Sequence, residues 1–131
     1  MNRPTRIAIV DDNKVDQKIL RAVFESHGYQ VESCLDGEAA LEVIPHFAPD
    51  LIILDVRMPG ISGYDICRRL KEMPNCRGIP VVFLSALTES KDRVEGYMAG
   101  GVDFIPKPIE VKEVLARIQV HLELRQADLK L

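Results

Sequence analysis

The chain has little with which to build a covalent framework or a membrane anchor. Its three cysteines, Cys34, Cys67 and Cys76, are an odd number without paired spacing. That argues against a disulfide scaffold or a zinc site and for packing roles in a reducing cytoplasm, with Cys67 and Cys76 expected to be partly exposed. No apolar run approaches membrane-spanning length. A net charge of −3 lacks the broad positive field of a nucleic-acid binder. Met1-Asn2-Arg3-Pro4-Thr5-Arg6 is too short and polar for a signal peptide. No internal repeat or low-complexity tract occurs, and 131 residues with 47% hydrophobic content suit one domain with one well-buried core.

What is present is alternation. Strand patterns near 6–10, 30–34, 50–55, 80–84 and 102–105 are interleaved with helical patterns near 14–27, 37–44, 63–72, 89–99 and 110–128, which predicts a doubly wound α/β sheet. Val15, Ile19, Val23 and Phe24 keep the spacing of a core-facing stripe in the first helix, and Gly28 stops it. Asp36-Gly37 and Gly100-Gly101 punctuate in the same way. Pro45 is expected to end or bend the second helix. Gly96 costs about 1 kcal/mol relative to alanine and predicts a loosely held fourth helix.

The apolar strands end in chemistry. Ile52-Ile53-Leu54 runs into Asp55 and then Val56-Arg57-Met58-Pro59-Gly60; Ile7-Ala8-Ile9-Val10 ends in Asp11-Asp12. Val81-Val82-Phe83-Leu84 ends in Ser85-Ala86, and Val102-Asp103-Phe104-Ile105 in Pro106-Lys107-Pro108. Parallel strands bring their C-terminal ends to one edge, so three acids, a hydroxyl and an amine gather there. Converging carboxylates repel one another, and a divalent cation such as magnesium relieves the crowding. Such a site wants a phosphoryl group, with Asp55 as nucleophile, Lys107 offsetting charge and Ser85 donating a hydrogen bond. Singly, each residue also has an ordinary reading. Asp11-Asp12 could be a helix cap with a first-turn acid, Ser85 a turn hydroxyl and Lys107 a solvated loop lysine. Their joint occurrence at four strand ends favours the site.

These residues resemble the receiver domain of bacterial two-component response regulators. The resemblance covers nearly the whole chain. It rests on Val10-Asp11-Asp12-Asn13, on Asp50 to Asp55 with Met58-Pro59-Gly60 and Gly63, on Pro80 to Ala86, and on Gly100 to Pro108. It implies a five-stranded parallel sheet of order 2-1-3-4-5 with helices on both faces and a cis peptide between Lys107 and Pro108. By the same resemblance Asp55 accepts the phosphoryl group, Asp11 and Asp12 hold magnesium with Asp55 and the Arg57 main-chain carbonyl, and Ser85 and Lys107 grip the phosphoryl oxygens. Phe104 is the aromatic switch, moving with Ser85, although as a residue it also reads as a plain strand position. Arg57 and Leu87 flank the approach of a hydrolytic water in that family.

The implied partners are a sensor histidine kinase or phosphotransfer protein, a homodimer through the fourth helix, fifth strand and fifth helix, and a C-terminal output domain. Neither direct nucleic-acid contact nor membrane association is expected. Leu115, Ile118, Leu122, Arg125 and Leu129 keep a three-and-four spacing past the length the fifth helix needs, so 122–131 reads either as the start of a helical linker or as a frayed amphipathic tail. Two rival classes weigh less. A phosphohydrolase with an aspartyl nucleophile carries a second acid where this chain has Arg57, and a flavin or nucleotide module wants a phosphate-cradling loop where this chain has Asp11-Asp12-Asn13-Lys14.

Overall fold

Three uninterrupted apolar runs, 7–10, 51–54 and 81–84, organise the molecule. The computed structural model describes residues 3–86 and 90–130. Strands β1 (Arg6–Val10), β2 (Gln30–Cys34), β3 (Leu51–Asp55), β4 (Val81–Ser85) and β5 (Asp103–Pro106) alternate with helices α1 (Lys14–Ser26), α2 (Gly37–Phe47), α3 (Gly63–Glu72), α4 (Ser90–Met98) and α5 (Val111–Lys130). All strand pairs are parallel, in the order β2-β1-β3-β4-β5. The expected doubly wound sheet and its order are both present. No described helix is long and apolar enough to cross a membrane.

β3 and β4 are buried at every residue, as strands covered on both faces must be. Alternate side chains serve opposite faces. Ala8, Val10, Ile52, Leu54, Val81 and Phe83 pack with α2 and α3, whereas Ile7, Ile9, Leu51, Ile53, Val82 and Leu84 pack with α1 and α5. The chain reverses direction of winding between β1 and β3, and the crevice outside their C-terminal ends is where such sheets bind ligands.

Several expectations are corrected. The buried stripe of α1 is Gln17, Leu20 and Phe24; Val15 is 66% and Ile19 40% exposed. The phase shifts because Gln17 is accepted into the core, where its amide donates to the carbonyls of Ile9, Asp11 and Cys34 at 3.1, 3.1 and 2.9 Å. Helix α2 runs through Pro45 to Phe47. A proline so near the end forfeits only one helical bond, and Ala48 still donates to Ile44 at 2.9 Å. Asp36 begins α2 as its cap rather than stopping a preceding element, its side chain accepting from the Ala39 amide at 2.8 Å. Cys67 and Cys76 are buried, not partly exposed. The α5 stripe is core-facing at Ile118 and Leu122, while Arg125 donates to the Gly78 carbonyl at 2.7 Å; only Leu129, 67% exposed, lies beyond this contact.

Candidate functional site

β1 delivers Asp11, wholly buried, and exposed Asp12 to the sheet edge. The capping role open to these acids falls instead to Asn13, whose side chain accepts from the amides of Val15 and Asp16 at 3.0 Å each. Asp11 Oδ1 accepts from the Asn13 amide at 3.0 Å. Register places Asp55 opposite Leu84, and its Oδ1 accepts from the Arg57 amide at 3.1 Å. Gly63 lets α3 abut the end of β3, since a Cβ there would stand 2.2 Å from the Asp55 carbonyl oxygen. Directly after β5, Lys107 donates its amide to the Ser85 carbonyl at 2.9 Å, and the following Lys107–Pro108 peptide is cis.

These segments converge. Asp11, Asp12 and Asp55 each present a carboxylate oxygen within 4.8 Å of the others. Lys107 Nζ stands 2.9 Å from Asp55 Oδ2 and 3.1 Å from Asp11 Oδ2. A fourth acid, Asp16, lies 3.4 Å from the same ammonium. The sequence offered no reason to single it out, because a first-turn acid on a helix is ordinary.

Electrostatics follow from burial and crowding. Loss of solvent, and then the neighbouring Asp55 carboxylate, raise the Asp11 carboxyl above its ordinary value, against the Asn13 amide and Lys107. Burial alone would lower the Lys107 ammonium, but hydrogen bonds and charge from Asp55 and Asp11 outweigh it and hold it above the usual lysine range. Asp11 Oδ2 is buried and makes no hydrogen bond to a described residue, its 3.1 Å approach to Nζ being an ion pair without hydrogen-bond alignment. An all-oxygen set with one buried, unsatisfied carboxylate oxygen fits a hard divalent cation.

Ser85 is buried at the end of β4, and Phe104 is buried on β5. Phe104 belongs to a run of four rings: Tyr64 to Phe83 at 5.2 Å, Phe83 to Phe104 at 5.2 Å and Phe104 to Tyr97 at 5.4 Å between centroids. Tyr64 donates its hydroxyl to the Asp92 carbonyl at 2.8 Å, tying α3 to α4. Gly96, expected to loosen α4, is instead buried against the Phe104 and Phe83 rings. Leu87 lies outside the described residues.

Comparison with known proteins agrees with this arrangement. A family model described as the response regulator receiver domain matches residues 7–119. Response regulator PleD of Caulobacter vibrioides is 40% identical over 114 residues, which are 87% of this chain and 25% of that protein. The phosphate regulon transcriptional regulatory protein PhoB of Rhizobium meliloti is 36% identical over 117 residues, 89% of this chain and 52% of its own length. The chain thus spans between a quarter and about half of these relatives. The solved receiver domain of sensor histidine kinase PA1611 from Pseudomonas aeruginosa PAO1, with magnesium coordinated in its active-site cleft, is 30% identical. It superposes with a TM-score of 0.84 over 92% of this chain and 99% of that one. Fold, acid cluster and sequence agree, and the chain belongs to the response regulator receiver domains, the phosphoacceptor units of two-component systems.

Proposed function

We propose that Asp55 is the phosphoacceptor, taking a phosphoryl group from the phosphohistidine of a sensor histidine kinase or phosphotransfer protein. The observation that carries this reading is the Lys107 ammonium shared between Asp55 and Asp11 beside three converging carboxylates. An Asp55 carboxylate oxygen attacks phosphorus; the new phosphorus–oxygen bond forms as the phosphorus–nitrogen bond breaks. The imidazole keeps the bonding pair, and the product is an acyl phosphate. Asp11, Asp12, Asp55 and the Arg57 carbonyl are the groups that would hold magnesium, which when bound offsets charge on the transferring oxygens. Lys107 exchanges its Asp55 partner for a phosphoryl oxygen, and the Ser85 hydroxyl donates to another. The domain catalyses only its own phosphorylation and dephosphorylation.

Output follows as a population shift. Ser85, Arg93, Tyr97, Phe104, Pro106 and Arg117 line one groove between α4 and α5, so movement of Ser85 and Phe104 alters the α4, β5 and α5 surface. That surface is the proposed site of homodimerisation or partner docking, and residues 122–131 the proposed start of a helical linker to an output domain. The setting is the cytoplasm, with no direct nucleic-acid or membrane contact by this domain. Incubation with acetyl phosphate and magnesium tests the acceptor: wild type gains the mass of one phosphoryl group and Asp55→Asn gains none. Undiminished labelling of the variant moves the acceptor elsewhere.

A further inference from the structure

Lys107 has three N–H donors, and three carboxylates surround it: Asp55 Oδ2 at 2.9 Å, Asp11 Oδ2 at 3.1 Å and Asp16 Oδ2 at 3.4 Å. Two of these partners are committed elsewhere during the reaction, Asp11 among the cation donors and Asp55 to phosphorus. Asp16 is in neither group. It sits in the first turn of α1 outside the cluster formed by Asp11, Asp12 and Asp55, and is therefore the one carboxylate partner whose hold on the ammonium persists. Its side chain is not needed for helix capping, because Asn13 accepts its backbone amide.

Charge makes the same residue consequential. Asp11, Asp16 and Asp55 face a single ammonium and Asp12 adjoins two of them, so even a bound dication leaves the ionised pocket with a residual negative charge. An incoming oxyanion meets that charge in a setting where Asp16 and Lys107 are each only 18% exposed, and solvent screening is incomplete.

Resting on Asp55 as acceptor, we propose that Asp16 is a positioning residue of this site, retaining the Lys107 ammonium and setting the negative potential that weakens oxyanion binding and strengthens cation binding. The signature is a pair of opposite shifts. In Asp16→Asn, beryllofluoride at saturating magnesium binds about three- to fivefold more tightly, and magnesium alone about three- to fivefold more weakly, both read by calorimetric titration. Asp16→Glu, which keeps the charge, returns both constants toward wild type. Asp65→Asn, removing the first-turn acid of α3, moves neither, which separates the effect from a general helix-terminus contribution.

Unchanged constants in Asp16→Asn, shifts of the same sign, or an Asp16→Glu variant indistinguishable from Asp16→Asn would overturn the assignment. Thermal melting of each variant checks that the fold is retained. A wild type that binds no beryllofluoride in magnesium instead overturns the acceptor reading itself, an outcome distinct from an Asp16 variant that binds it unaltered.

Discussion

The Phe104 ring lies over the Gly96 backbone so closely that a Cβ built on that glycine would stand 2.2 Å from the ring's Cζ. The buried position of Phe104 and the missing side chain at Gly96 are therefore one packing solution.

Gly96→Ala should destabilise the domain by about 1–3 kcal/mol through overpacking, although alanine is the better helix former by about 1 kcal/mol. In a Phe104→Ala background the clash with that ring is gone, and the same substitution should become neutral or stabilising. Urea melts of the two single variants and the double variant measure the coupling. Additive effects would mean that Gly96 and Phe104 are independent.

Asp12 is exposed and makes no ion pair among the described residues, so removing its charge breaks no such contact in the metal-free fold. Without metal, Asp12→Asn should leave stability within about 0.5 kcal/mol of wild type, as for other exposed side chains. In wild type, magnesium at a hundred times its dissociation constant should add about 2.7 kcal/mol, and the variant should lose most of that gain. Equal magnesium stabilisation of both proteins would remove Asp12 from the cation site.

Thiol titration offers a test in alkali. Burial, and then the Glu32 and Asp36 charges, push the Cys34 thiol up from 9.0 to about 11; burial, against Lys71 and Arg68, does the same for Cys67. Folding favours the protonated form, so each contribution is fully present below pH 9 and fades as pH rises through about 11. Stability curves of wild type and Cys67→Ala should converge over that window. Parallel curves, or rapid alkylation of Cys67 in the folded protein at pH 8, would count against a buried neutral thiol.

Most of the sheet was legible because β1, β3 and β4 are each built on an unbroken apolar run of four residues, and an acid directly after such a run announces the rim. Less legible were features whose cause is distant in the chain. Gln17 looks polar and outward until the carbonyls of Ile9, Asp11 and Cys34 converge on its amide. Gly96 resembles a weak point until Phe104 is placed on it. Asp16 resembles any first-turn acid until β5 brings Lys107 to within 3.4 Å. Periodicity reports the face of a helix, but it carries no record of what the neighbouring strand presents there.

Phe83 and Leu84 are adjacent in β4 yet belong to opposite halves of the interior, the first with Tyr64 and Phe104 and the second with α1 and α5. A disturbance arriving at the rim through the aromatic rings thus runs in the layer of α3 and α4, and meets α5 only across the groove that Ser85, Tyr97, Phe104 and Arg117 share.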